Sequence, residues 1–317
     1  MLFRSLNASN ARLYKLAFMN GKTPLEFQVI ANDGGLLQSA QGAQEVFVSP
    51  AERVEILLDL SRAALGDAIT LASMAFDPME HEDGPPGAEK KDENKDVKSA
   101  SASHGSHGAP AKAEDKKTAA ASTEDSKNKG SEKEKAKSGI PEIGVAMDIM
   151  RIHVTSKLAY ERTVPAKLST VMPINANCGT SRTINLDHEK MVWRINGQTY
   201  THEATPITVK QGATEVWEVK NAAASMPHPF HIHGFQYQVL ERRGSPQQQK
   251  KLAVNAQGLA ATDLGWKDTV LVWPGESVCI AIDFSHPFGG DQVYMIHCHN
   301  LEHEDQGMML NLKVQAA

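Results

Sequence analysis

The sequence predicts an all-β protein built from β-sandwiches. Short apolar or alternating segments recur in both halves of the chain, and strong turn formers such as Asn20-Gly21 and Ser49-Pro50 separate them. A charged stretch with almost no large apolar residues divides the two halves. With 317 residues and 41% apolar content, the chain can bury one or two domain cores.

The first β-rich part covers residues 1–75. Its apolar or alternating segments are typical of a β-sandwich. The predicted strands are Leu2–Leu6, Tyr14–Phe18, Leu25–Ile30, Glu45–Val48 and Val54–Leu60. No histidine precedes His81, so we expect no functional role for this part.

Residues 76–140 are rich in Lys, Glu, Asp, Ala, Ser and Gly. Such a segment cannot bury enough apolar surface to offset its ordering entropy, so we predict a disordered linker. It contains His104 and His107, for which a solvated linker is the simpler interpretation and weak metal capture the alternative.

The last part, residues 141–317, returns to strand patterns. Its first segment, Gly144–Val154, could pair with the sheet of the first part. Further strands are predicted at Met191–Gln198, Ile207–Ala213, Glu215–Asn221, Gly265–Gly275, Ser277–Asp283 and Val293–His299.

The residues that carry chemistry concentrate between Met295 and Met308. This segment holds a thiol, three imidazoles and the thioether of Met308, the soft and borderline ligands that copper and zinc prefer. In a strand, period-2 alternation sends His297 and His299 to one face and Cys298 to the other. One strand would then serve two metal centres.

The Cys298 face needs one more imidazole. His303 and Met308 follow Cys298, and a further histidine would complete a His2Cys set with a weak axial Met, the composition of a blue-copper electron-transfer site. Zinc is the rival metal, but its structural sites usually take four Cys or His ligands and need no Met.

A second histidine motif supplies the missing ligand. In Met226–Gly234, His231 and His233 share a strand face at spacing two, whereas His228 lies at an odd offset on the opposite side. His228 is therefore the candidate for the Cys298 site.

The two motifs resemble the C-terminal copper signature of multicopper oxidases, the family of laccases, cuprous oxidases and bilirubin oxidases. They read His228-Pro-Phe-His-Ile-His-Gly234 and His297-Cys-His-Asn-Leu-Glu-His-Glu-Asp-Gln-Gly-Met308. Asn32–Leu37 and Ser49–Val54 are similar to the latter half of the family's middle domain. The resemblance implies cupredoxin-like Greek-key β-sandwiches, one partial (1–75) and one complete (141–317).

The resemblance also assigns roles to single residues. The type 1 copper ligands would be His228, Cys298, His303 and Met308. The type 2 ligand would be His231, and the type 3 ligands would be His233, His297 and His299. Cys298 would pass electrons to the second face through its two histidine neighbours, and Glu304 matches a carboxylate that relays protons to oxygen. Asp268 would either orient a ligand imidazole or cap its own turn.

By this resemblance the chain is a copper-dependent oxidoreductase. A small-molecule or metal-ion reductant would give up one electron at the type 1 copper, through an edge of His303 or His228. A trinuclear cluster would reduce dioxygen to water. The family oxidises phenols, bilirubin-like tetrapyrroles, Cu(I) and Mn(II), and the sequence does not choose among them.

Half of the cluster's histidines are missing. Family members add two His-x-His pairs from an N-terminal domain, but here such pairs occur only at His231/His233 and His297/His299. The chain is then a truncated oxidase, with its type 2/type 3 cluster completed by a missing domain or another chain. Alternatively, it is a single type 1 copper electron-transfer module without oxygen reduction, or an inert remnant.

Charge and hydropathy limit the partners. The net charge of −5 and pI near 6.2 predict no attraction to nucleic acid. No apolar run approaches the length of a membrane span, so we expect a soluble protein without a membrane partner. The first residues do not read as a signal peptide, and a periplasmic or extracellular location is implied by resemblance alone.

The other cysteines and histidines are predicted to be structural or solvent-facing. Beside Cys298, only Cys178 and Cys279 occur, too few to suggest a disulfide framework, and Cys279 reads as a small buried apolar residue. The histidines without a partner at ligand spacing are His153, His188, His202 and His286.

Overall fold

The described residues of the computed structural model are 1–80, 142–156, 163–174, 176, 179–190 and 192–316. They form β-strands joined by turns, with short helical segments, which confirms the all-β prediction. Most of the predicted linker, including His81, His104 and His107, lies outside the described residues, as does Cys178.

Two sheets pack face to face in the first sandwich. Its strands are β1 (Leu2–Leu6), β2 (Tyr14–Asn20), β3 (Thr23–Leu25), β4 (Phe27–Asn32), β5 (Gly35–Ala43), β6 (Glu45–Val48), β7 (Arg53–Leu58), β8 (Ala68–Ser73) and β9 (Met147–His153). One sheet has the order β1-β7-β4-β5 and the other β3-β2-β8-β9, with β6 paired to β2. Buried side chains from both sheets, such as Phe18, Phe27 and Ile56, form one core.

The chain returns to the first sandwich after residue 141. Strand β9 pairs with β8 antiparallel, with Ile152 opposite Ile69. The exposed His153 lies at the end of this strand. The first sandwich is therefore built from two stretches that are distant in the sequence.

The second sandwich also consists of two sheets. Its strands are β10 (Arg182–Glu189), β11 (Val192–Ile195), β12 (Ile207–Lys210), β13 (Thr214–Asn221), β14 (His228–Ile232), β15 (Tyr237–Arg243), β16 (Thr269–Val272), β17 (Ser277–Asp283), β18 (Gln292–Cys298) and β19 (Met309–Gln315). The sheet orders are β11-β10-β13-β17-β15 and β12-β19-β18-β14-β16. Fully buried Trp217, Tyr237 and Phe230 lie in the core between them.

Strands β14 and β18 are antiparallel neighbours, and their register positions both histidine motifs. His231 lies opposite His297, and Phe230 lies opposite Cys298. Because side chains alternate across a strand, the two histidines share one face of the sheet while Cys298 faces the core with Phe230.

A first short helix, α1 (Gln247–Lys250), follows β15. A second, α2 (Leu301–Asp305), stands between β18 and β19, where no helix was predicted. It brings His303 back towards Cys298. Gly307, with a φ of +90°, ends the turn after α2, a conformation that L side chains rarely adopt. The following Met308 accepts a backbone hydrogen bond from Cys298 at 3.1 Å.

Buried ion pairs join the two sandwiches. The Lys267 ammonium lies 2.9 Å from a carboxylate oxygen of Asp33 and 3.0 Å from one of Glu52. Beside them, the Gly34 amide donates to the Trp266 carbonyl at 2.8 Å. In each of these contacts one residue belongs to the first sandwich and the other to the loop before β16, so the first sandwich fixes that loop.

Cys279 differs from its prediction. It is buried in β17 as expected, but it is disulfide-bonded rather than a free apolar side chain. Alternation in a strand indicates burial and carries no information about a distant bonding partner.

Among the described residues, no helix is long and apolar enough to cross a membrane.

Candidate metal centres

The first centre is a triangle of ligand atoms around Cys298. Its Sγ lies 3.4 Å from Nδ1 of His228 and 3.4 Å from Nδ1 of His303. The two Nδ1 atoms are 3.2 Å apart. The donors come from β14, β18 and α2, so the site requires the sheet register and the helix together.

The triangle is sealed from solvent. Cys298 and His228 are fully buried, and His303 is 5% exposed. Burial lowers the pKa of His303 to about 4 and that of His228 well below its usual value, so both imidazoles are neutral at pH 7. Nε2 of His228 is hydrogen-bonded to the Ser225 hydroxyl at 2.9 Å, which leaves its Nδ1 lone pair directed at Cys298.

These donors fit a copper ion. An atom at the centre of the triangle would lie about 2 Å from each donor, the length of a bond from a metal ion to an imidazole nitrogen. Burial raises the pKa of the Cys298 thiol, which is costly to ionise there unless a metal replaces the proton. Met308, fully buried, follows in the chain as the thioether of a His2Cys-Met set.

The second centre lies on the opposite face of β14 and β18. The ligand atoms of His231, His233 and His297 all lie within 4.8 Å of one another. The Nε2 atoms of His233 and His297 are 3.0 Å apart. His299 follows the end of β18, and its ring centroid lies 5.2 Å from that of His297 and 5.5 Å from that of His231.

Burial also keeps the imidazoles of His231 and His297 neutral. It lowers the pKa of His297 to about 3 and that of His231 to about 4. Nδ1 of His231 is hydrogen-bonded at 2.9 Å to the Asp268 carbonyl and at 2.9 Å to the Thr269 hydroxyl. The backbone of Asp268, with its carboxylate 3.7 Å away, therefore orients this ring and leaves Nε2 free for a metal.

Glu304 lies at the edge of the second centre. Its Oε2 is 3.3 Å from Nδ1 of His297, and its side chain is 29% exposed. Nδ1 of His297 also lies 3.1 Å from the Cys298 carbonyl oxygen. A carboxylate in this position contacts both solvent and a candidate ligand.

The two centres match a family of known proteins. The family model described as multicopper oxidase matches residues 165–317. The McoA multicopper oxidase from the hyperthermophile Aquifex aeolicus is 33% identical, with a TM-score of 0.72 over 99% of this chain and 55% of its own. This chain belongs to the multicopper oxidase family.

Curated relatives carry the same likeness along most of the chain. The laccase of Bacillus subtilis is 28% identical over 97% of this chain and 49% of its own length. The bilirubin oxidase of Albifimbria verrucaria is 28% identical over 97% of this chain and 43% of its own. This multicopper oxidase chain therefore spans about half the length of the relatives it matches, and its sandwiches are cupredoxin-like.

Two open cavities flank the histidine cluster of the multicopper oxidase chain. One, of about 750 Å³, is lined in part by His231, His233, Phe235 and Trp266. The other, of about 470 Å³, is lined in part by His231, His299, Arg53 and Leu301. The second centre is accessible, in contrast to the sealed first centre.

The structure brings the predicted histidine and cysteine ligands of this multicopper oxidase chain into the two clusters. The sequence predicted electron entry through an edge of His303 or His228, but both rings are buried and the indole of Trp193 packs against both. Sequence reasoning missed Trp193 and Arg53, the latter bound to Asp268. Neither has ligand spacing, so only the three-dimensional contacts reveal them.

Proposed function

We propose that this chain is the copper-binding part of a laccase-like multicopper oxidase. In this proposal one-electron oxidation of a reducing substrate at a type 1 copper is coupled to the reduction of dioxygen to water at a trinuclear cluster. His228, Cys298, His303 and Met308 would hold the type 1 copper. Histidines from another segment or another chain would complete the cluster begun by His231, His233, His297 and His299.

The observation that supports this coupling is the two-sided end of β18. Cys298 belongs to the buried triangle, whereas His297 and His299, covalently bonded to it, belong to the cluster on the other face. An electron that reaches the Cys298 sulfur therefore needs only the adjoining backbone to arrive at either histidine.

Bound copper would supply one-electron redox chemistry and a site for dioxygen. The chain's own residues would then deliver protons and keep water out of the type 1 side. Glu304, partly exposed and 3.3 Å from His297, is placed to take a proton from solvent and hold it at Oε2 beside the cluster.

The second candidate function is a single type 1 copper electron-transfer module without oxygen reduction. It is favoured by the contrast between the two centres. The three donor atoms of the first centre lie 3.2–3.4 Å from one another, and all belong to this chain. The second has four histidines of this chain and stays open to two cavities.

Copper stoichiometry and spectra test both functions. The purified chain is loaded with copper, and its copper content, visible absorption and oxygen consumption are measured. Four coppers with oxygen consumption, in this chain alone or together with the segment or chain that completes the cluster, support the oxidase. One blue copper without oxygen consumption in both cases supports the electron-transfer module. Cys298→Ser should abolish the blue absorption. A chain that binds no copper would refute both.

We further propose an oxidising compartment, the periplasm or the cell exterior, for this protein. The disulfide at Cys279 supports it, because disulfides persist where thiols are not kept reduced. The reductant is proposed only as a class, a small molecule or a metal ion.

A further inference from the structure

Trp193 lies directly on the ligands of the buried triangle. Its ring centroid is 4.1 Å from that of His303, at an interplanar angle of 30°, a stacked arrangement. The same indole meets His228 edge-on at 5.2 Å and 74°. Trp193 is 7% exposed, so a buried indole is packed against both imidazoles.

A hairpin holds the indole in place. Strands β10 and β11 are antiparallel, and His188 lies directly opposite Trp193 in their register. The ring centroids of these two residues are 5.0 Å apart at 47°. Three aromatic rings, His303, Trp193 and the half-buried His188, therefore lead from the triangle towards the surface.

The indole of Trp193 occupies the position over His303 where another aromatic ring could stack. Flat aromatic molecules bind imidazole and other rings by stacking at centroid distances of about 4.5–7 Å. An aromatic reductant that reached His303 would take the position that the indole already occupies. The protein thus supplies its own stacking partner and denies that position to a substrate.

We propose that Trp193 determines which reductants this protein accepts, by filling the place from which a flat aromatic donor would stack on His303. Electrons then arrive across the indole and not through an exposed ligand edge. The inference rests on the proposed function, because it requires copper in the triangle.

The cover is tested first in the copper-free protein. The protein is treated with N-phenylmaleimide, and alkylation of Cys298, the free cysteine among the described residues, is measured by peptide mass mapping. Trp193→Ala should raise the rate by about tenfold or more, because the thiol gains solvent access. Trp193→Phe keeps a ring over His303 and should stay near the native rate. The matched control is Val192→Ala, an exposed neighbour on β11.

The specificity is tested by anaerobic reduction of the copper-loaded chain. Hydroquinone gives up one electron and one proton, and hexacyanoferrate(II) gives up one electron to become hexacyanoferrate(III). In both cases Cu(II) becomes Cu(I). Trp193→Ala should increase the rate of copper reduction by hydroquinone by about tenfold, the effect of one added aromatic stacking contact. Hexacyanoferrate(II) is too bulky for the space left by the indole, so its rate of copper reduction should increase by less than about threefold.

Because Trp193→Ala removes a large buried ring, Trp193→Leu is prepared in parallel. It fills part of the space with an aliphatic group, so it should favour hydroquinone over hexacyanoferrate(II) less than Trp193→Ala does. Equal acceleration of the two reductants, or no acceleration of either, would overturn the inference. Unchanged alkylation of Cys298 would overturn it as well. Copper loading that fails in every variant refutes the proposed function, whereas normal loading with an unchanged preference refutes this inference alone.

Discussion

Arg53 binds both carboxylate oxygens of Asp268, with Nη1 2.9 Å from Oδ1 and Nη2 2.6 Å from Oδ2. Arg53 belongs to the first sandwich and Asp268 to the second. The carbonyl of Asp268 is hydrogen-bonded to Nδ1 of His231, a ligand of the second centre. A residue from the part expected to have no functional role therefore fixes the backbone that orients a candidate ligand imidazole.

Arg53→Ala should lower the free energy of unfolding by about 1 kcal/mol, because a bidentate pair is lost but its arginine is about one-third exposed. Urea denaturation of the copper-free protein measures the change. The control is Arg4→Ala, whose pair with Glu55 is far more exposed and should cost less than about 0.5 kcal/mol. Equal effects of the two variants would contradict a special role for Arg53.

Lys267→Met should destabilise the protein much more, by about 3–5 kcal/mol, because it leaves the buried carboxylates of Asp33 and Glu52 without their cation. Urea denaturation measures this change too. Lys313→Met, which breaks a more exposed pair with Asp291, should change the free energy of unfolding far less.

A second substitution, at Glu52, checks why Lys267→Met lowers the stability. Burial raises the pKa of Glu52, so this carboxyl is the one that tolerates neutralisation. Adding Glu52→Gln to Lys267→Met should therefore restore part of the lost stability. A double variant less stable than Lys267→Met would show that the carboxylate is not the cause of the cost.

The division of the ligands between two faces could be predicted from the sequence, because alternation along a strand is local. Spacing two on a strand sends His231 and His233 to one face, and the adjacent Cys298 and His299 to opposite faces, whatever the rest of the fold does. The observed separation of the triangle from the histidine cluster follows the same alternation.

The surroundings of the site could not be predicted, because they depend on contacts between distant segments. Trp193 meets His303 across 110 positions of sequence, and Arg53 meets Asp268 across 215. Helix α2 was also missed, because five residues are too few for a helical period to be recognised. Strand β19, which directly follows the copper motif, was not predicted, although Leu310, Leu312 and Val314 alternate into the core.

Removal of the disulfide at Cys279 should destabilise the protein by about 2–5 kcal/mol, since a crosslink restricts the unfolded chain. Cys279→Ala and treatment of the native protein with dithiothreitol should have similar effects on urea denaturation. Dithiothreitol should change the Cys279→Ala variant little. A native protein insensitive to the reductant would count against a structural disulfide and against the oxidising compartment it supports.

The copper-free protein should lose stability as the pH falls below about 6.5. In the folded state burial holds the pKa of His303 near 4, that of His231 near 4 and that of His297 near 3. The unfolded chain takes up these protons near pH 6.5, so acid favours unfolding. The stability that neutral imidazoles allow is present above pH 6.5 and is lost as the pH falls towards 4. Each histidine contributes up to about 1.4 kcal/mol per pH unit in that window.

Urea denaturation in EDTA between pH 7.5 and 4.5 measures this slope. His303→Gln should reduce it, because one buried titrating group is removed from the fold. His202→Gln, which alters an exposed loop residue, should leave the slope unchanged. Equal stability of the copper-free protein at pH 7 and pH 5 would mean that the imidazoles accept protons in the folded state. The triangle around Cys298 would then not be the dry, neutral donor set that a type 1 copper requires.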